Sequence, residues 1–165
     1  MEQCDVTEPV AVRATFVDRI EHLRSEVRGW LARDPKLALN DRPFVVEDVL
    51  GRYEAPGLEI VHDGSPVATV QPLSAAVIGA QGRLDVKGPL DEVPVVYLES
   101  AGRMETRRAR GGDVVHLRPL FRGVEGPGWY WITGSTTREV RRIDESSFRA
   151  ILIAVSDYEI SEDSA

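Results

Sequence analysis

A chain of 165 residues with 42% hydrophobic and 28% charged side chains has a globular composition, and its length suits one domain rather than two. A net charge of −7 opposes general affinity for nucleic acid, and a single cysteine, Cys4, excludes an internal disulfide and any cysteine-based zinc site. The opening MEQCDVTEPV lacks the basic start and apolar stretch of a signal peptide, and no apolar run approaches the ~20 residues that cross a bilayer. The expected setting is therefore the cytoplasm, with no membrane contact.

The first predicted element is a long helix from Glu8 to Arg33. Val12, Phe16, Ile20, Leu23, Val27, Trp30 and Leu31 recur at spacings of three and four, Thr7 is a candidate N-cap, and Pro35 stops the pattern. At 1.5 Å per residue it would run ~39 Å, and such a stripe needs a sheet or a second subunit to cover it. Pro43 to Tyr53 reads as a short helix capped by Asp41 and ending at Gly51, although Val45, Val46 and Val49 would also suit a strand.

The sheet is then expected to begin at Leu58–Val61. Asp63-Gly64 signals a two-residue hairpin into Val67–Gln71, with Pro66 tolerated at the strand start. Ala75–Ala80 and Arg83–Lys87 follow as strands, the latter with Leu84 and Val86 on one face. Val93–Glu99 is the most apolar strand and reads as a central one. Ala101–Gly112 reads as a charged, mobile hairpin loop leading to a strand at Asp113–Phe121. Strands at Trp129–Thr133 and Arg138–Ile143 precede a final helix, Glu145–Val155, capped by Asp144. The fold class is α+β: a long N-terminal helix packed on a curled, mostly antiparallel sheet of seven or eight strands, with a short C-terminal helix. Residues 1–165 form one domain, with 1–7 and 157–165 as loose ends.

Chemistry is sparse. Ser74 lies in PLSAAV without the glycines of a nucleophile elbow, and GAQGRLDVKG runs strand–turn–strand rather than strand–loop–helix. There is no H-E-x-x-H and no calcium-loop pattern, so no metal and no cofactor are expected. His22 falls on the polar side of the first helix. His62 and His116, with Glu59 or Asp85 nearby, are the one acid–base pairing on offer, and their spacing does not force them together. No catalytic residue is assigned.

The charge is uneven. Between Arg103 and Arg142 stand nine arginines against four acids, while the remainder carries eleven bases and twenty-three acids. In that basic stretch Trp129 and Trp131 share one strand face and Tyr130 takes the other, where it would stand beside Arg138, Arg141 and Arg142. The candidate partner-binding residues are Arg103, Arg107, Arg108, Arg110, Tyr130, Arg138, Arg141 and Arg142, since arginine and aromatic side chains dominate protein contact centres. The expected function is a non-enzymatic protein-binding module of regulator, adaptor or immunity type, with another protein as partner and a homodimer as an option. The alternatives are a nucleic-acid-associated protein using the 103–142 region, or a small enzyme with His62 and His116 as acid and base.

Overall fold

The computed structural model describes residues 7–107, 114–134 and 138–159, with backbone alone for 7, 103–107 and 114–118. Helix α1, Thr7–Leu31, crosses one face of a seven-stranded sheet. The strands are β1 (Leu37–Asp48), β2 (Gly51–His62), β3 (Ser65–Ser74), β4 (Arg83–Lys87), β5 (Glu92–Leu98), β6 (Arg103–Arg107), β7 (Val114–Pro119), β8 (Gly128–Ile132) and β9 (Val140–Arg142), followed by helix α2, Glu145–Val155. The sheet order is β1-β2-β3-β4-β5-β8-β9, antiparallel throughout, and β6 pairs with β7 as a separate two-stranded sheet. The α+β class, the curled antiparallel sheet and both expected helices are present.

Alternation along the strands buries both faces of the sheet. Leu58, Ile60, Val70, Leu84, Val86 and Val95 point towards α1 and meet Phe16, Ile20, Leu23, Val27 and Leu31 of its apolar stripe. α2 adds Phe148, Ile151, Leu152 and Val155 to the same core. On the opposite face Val96, Leu98, Phe121, Tyr130 and Val140 form a smaller second core. The Asp144 cap is as expected: its carboxylate accepts from the Ser147 amide at 2.8 Å, and the Ser147 hydroxyl accepts from the Asp144 amide at 2.8 Å. Asp63 (φ 48°) and Gly64 (φ 80°) make the tight turn between β2 and β3.

Three expected elements are corrected. Pro43–Tyr53 is not a helix: it contributes the end of β1, a two-residue turn at Val49-Leu50 and the start of β2, paired from Leu37↔His62 to Asp48↔Gly51. The β-branched valines prevail because a full-length partner strand is present, and Asp41 ties β1 to α1 through Arg24 and Arg28 instead of capping anything. Ala75–Ala80 is a loop whose only β-type pairing among the described residues is the isolated Val77↔Ala80 bridge, and the sheet resumes at Arg83. Ala101–Gly112 is not simply a loop, since Arg103–Arg107 is strand β6; residues 108–113 lie outside the described residues.

The C-terminal end is firmer than expected as far as Glu159. Tyr158 is buried, donates its hydroxyl hydrogen bond to the Asp34 carboxylate at 2.9 Å, and sets its ring edge-on to His62. Cys4 and the side chain of Thr7, the expected cap of α1, lie outside the described residues.

Candidate functional site

The first turns of α1 carry no buried residue up to Thr15, whereas Phe16, Ile20, Leu23, Val27 and Leu31 are all buried. Val12, counted in the apolar stripe from its spacing, is 38% exposed and lines a cavity instead of joining the core. Along this flank of the helix run two adjoining cavities of about 410 and 350 Å³. They meet at Thr15 and Arg19, which line both.

The smaller lobe lies between Glu8, Ala11 and Val12 on the helix and Ala75, Ala80 and Glu99 on the far wall. The larger lobe lies between Asp18, His22 and Glu26 on the helix and Tyr97, Trp129 and Arg142 opposite. Glu8, Ala11, Val12, Thr15, Asp18, Arg19, His22 and Glu26 are spaced by threes and fours, so the two lobes follow one helix face. From residue 8 to residue 26 that face is ~27 Å long.

Arg19 marks the junction. Its guanidinium lies 4.0 Å from the centroid of the Tyr97 ring and donates to Glu99 at 2.9 Å. The Trp129 indole donates to the Arg19 carbonyl oxygen at 3.2 Å, which ties the wall to the helix backbone. Arg142 points its guanidinium at the carbonyl oxygens of Glu125 (2.9 Å) and Pro127 (3.0 Å). His22 is exposed, as expected, with Nε2 3.7 Å from Glu26. Asp18 has no ion-pair or hydrogen-bond partner among the described residues. Four carboxylates thus line the groove against two arginines whose donors are engaged.

The loop that walls the smaller lobe is fastened by Asp48. Its carboxylate accepts from the Tyr53 hydroxyl (2.7 Å), the Leu50 amide (2.8 Å), the Ala75 amide (3.0 Å) and the Ser74 hydroxyl (3.1 Å). Burial pushes the Asp48 carboxyl up, but these hydrogen bonds, Tyr53's foremost, outweigh it and hold the group below its ordinary 3.8. The same contact, after burial, raises the Tyr53 phenol. Ser74 therefore serves a carboxylate clamp and has no imidazole partner among the described residues.

The other candidates are scattered. Tyr130 is fully buried in the second core, not displayed: its hydroxyl donates to the Gly126 carbonyl and accepts from the Glu125 amide. The second core claims its face of the sheet, and that is why the expected aromatic–arginine surface is absent there. Arg142 does lie near Tyr130, 5.9 Å from the ring centroid. Arg141 projects on the other face and contacts Ser146, and Arg138 takes a positive φ of 51° beside β9. Arg103 and Arg107 belong to β6; their side chains, and all of Arg108 and Arg110, lie outside the described residues.

His62 ends β2, and His116 belongs to β7, which pairs with β6 alone; the side chain of His116 lies outside the described residues. The Nε2 of His62 is buried with no hydrogen-bond partner. Asp85 is buried and engaged by Arg83 at 3.0 Å, and hydrogen bonding to it, followed by burial, raises the Glu92 carboxyl. Among the described residues no three His, Cys, Asp or Glu side chains are grouped to hold a metal ion, and no helix is long and apolar enough to cross a membrane.

Comparison with known protein families, curated proteins and solved structures finds no match to this chain.

Proposed function

We propose that this protein is a non-enzymatic binding module of regulator, adaptor or immunity type that receives an extended segment of a partner protein in the groove along α1. The observation that carries this reading is the sharing of Thr15 and Arg19 by two lobes that follow a single helix face. Its ~27 Å length matches about eight residues of extended chain at ~3.3 Å each. The wall is rigid where recognition needs it: Trp129 is bonded to the helix backbone, and Asp48 fastens the loop that carries Ala75. Pre-built walls reduce the ordering cost of binding. Four groove carboxylates disfavour a nucleic-acid backbone as the occupant. A cytoplasmic setting fits the single cysteine.

Panning a random dodecapeptide library against the full chain tests the reading. Enriched peptides, remade synthetically, should bind with a change in tryptophan fluorescence. Binding should be lost in Ala11→Arg and Thr15→Arg, which fill the groove from exposed helix positions while leaving the circular dichroism unchanged. Failure to enrich any peptide, or binding indifferent to both substitutions, would refute the proposal.

A further inference from the structure

We propose that Glu92 is a proton-operated switch on the sheet face opposite α1. Ionised, it pairs with the ammonium group of Lys87; protonated, it turns its carboxyl group to the buried carboxylate of Asp85.

The register sets up the choice. Lys87 stands directly opposite Glu92 and Asp85 stands opposite Pro94, so Glu92 lies across from one and diagonal to the other on a single face. The alternate residues Leu84, Val86, Val93 and Val95 point the other way, into the core under α1. Lys87 Nζ is 3.7 Å from Glu92 Oε2, with both side chains exposed, so the ion pair is a weak hold. Asp85, by contrast, is 1% exposed. Its carboxylate takes two donors from Arg83, Nε at 3.0 Å and a terminal nitrogen at 3.3 Å. That fork supplies a counter-charge and leaves lone pairs free to accept one more bond.

An ionised Glu92 cannot fill that place, because two carboxylates repel. A protonated one supplies the O–H donor, and the exchange takes up one proton. The neighbours favour it: hydrogen bonding to Asp85 comes first, burial second and the charge of Asp85 third, and together they raise the Glu92 carboxyl above its ordinary 4.5 against the pull of Lys87. β3 presents Thr69 and Gln71 beside Lys87 and Asp85, both uncharged, and Glu59 of β2 lies beyond Thr69. Asp91, in the turn before β5, accepts from the Glu92 amide at 2.7 Å, and both helices pack on the opposite face. The acids Glu59 and Asp91 oppose a charge on Glu92 in the same sense. Taking up the proton frees Lys87, so this face gains positive charge in acid.

The folded value is raised, so the contribution to stability is present below the ordinary value and is lost as pH rises through the folded one. Glu92→Gln keeps a donor for Asp85 and carries no charge. It should be more stable than the parent at neutral pH, with the difference closing in acid.

NMR titration of the side-chain carboxyl carbons of the full chain, from neutral pH into acid, tests the switch. The Glu92 carbon should titrate above a glutamate in an unstructured peptide, and the Asp85 carbon should shift in the same step. Asp85→Asn should bring the Glu92 midpoint down to the peptide value or below it. Lys87→Met, which removes only an exposed cation, should move that midpoint up, and it decides the matter where Asp85→Asn fails to fold. A parent midpoint at or below the peptide value would overturn the proposal. So would an Asp85 carbon silent through the Glu92 step, or a midpoint that either variant leaves unmoved.

Discussion

Asp48 offers a sharp test of how this molecule holds its shape. Its carboxylate gathers two backbone amides and two hydroxyls, from the turn before β2 (Leu50), from β2 (Tyr53), and from the end of β3 and the residue after it (Ser74 and Ala75), so Asp48→Ala strips one acceptor from four donors. Not all four losses count equally. The Ser74 hydroxyl has the Ala76 carbonyl as a second acceptor, and the Ala75 amide also reaches the Tyr53 oxygen at 3.1 Å. The uncompensated losses are the Tyr53 hydroxyl and the Leu50 amide, each worth about 1–1.5 kcal/mol when the acceptor is charged and partly solvated. The expected cost is about 2–3 kcal/mol, or roughly 4–10 °C in Tm for a domain of this size. Asp48→Asn keeps one acceptor oxygen and should cost about half as much. Urea unfolding followed by circular dichroism measures both. The pH dependence sets the sign: the folded carboxyl lies below its ordinary 3.8, so its contribution is present above that value and is lost as pH falls through the lower folded value. The gap between parent and Asp48→Ala should therefore close in acid. A gap below about 0.5 kcal/mol at pH 7, or one that widens in acid, would refute the clamp.

Two glycines should respond oppositely to alanine. Gly29 is helical with nothing within 4 Å of an added Cβ, so Gly29→Ala should stabilise by about 0.5–1 kcal/mol. A Cβ on Gly88 would strike the backbone carbonyl of Val155 at the end of α2, and Gly88→Ala should cost about 3 kcal/mol in the same unfolding assay. The phenol of Tyr158 is raised above 10.0 by burial first and by its bond to Asp34 second. Its contribution is thus complete below pH 10 and lost as pH rises through the folded value, so Tyr158→Phe should lower stability by about 1–2 kcal/mol at pH 7 and narrow the difference in strong alkali.

The elements read correctly from sequence are those whose pattern is set by a single partner. The stripe of α1 from Phe16 onwards, the Asp63-Gly64 turn and the Asp144 cap are local or strictly periodic, and each is where it was expected. β1 was hard to read because it is an edge strand whose only fully buried residue is Val46: Leu37, Leu39, Phe44 and Val46 do alternate with exposed positions, but the pattern breaks across Asn40–Pro43 and the exposed Ala38 and Val45 are themselves apolar. Val45, Val46, Val49 and Tyr53 meanwhile fall at helical spacings by coincidence. Pro43 stands opposite Pro56 in the register, a placement suited to a strand edge that must not recruit another strand.

Tyr130 was misjudged for a different reason. Alternation says that it opposes the tryptophans but not whether a second layer covers it, and here Phe121 and Val140 do. Most of the groove lay outside sequence reach. Its far wall comes from Ala75–Gln81, Tyr97–Glu99 and Pro127–Trp129, segments brought together only by the sheet order. One signal was present: a second run at helical spacing, Ala11, Thr15, Asp18 and His22, flanks the apolar stripe with small and polar residues.

The smaller lobe exists because α1, 25 residues and ~37 Å long, runs on past its core contacts at its first turns. Its anchored part begins at Phe16; before that, the contacts seen are side-on, such as the Arg13 guanidinium 5.7 Å from the Tyr53 ring centroid. A helix held at one end by five buried side chains and at the other by exposed ones should open in two stages. Amides of residues 11–15 are expected to exchange hydrogen well before those of residues 20–31, which should exchange only with global unfolding. A peptide seated across both lobes would cover the early-exchanging turns, so its binding should slow exchange at residues 11–15 much more than at 20–31. Uniform protection along α1 in the free protein would refute the idea of an overhanging end. Slowing confined to residues 20–31 would mean that a ligand enters the larger lobe alone, and the eight-residue span of the groove would then have to be halved.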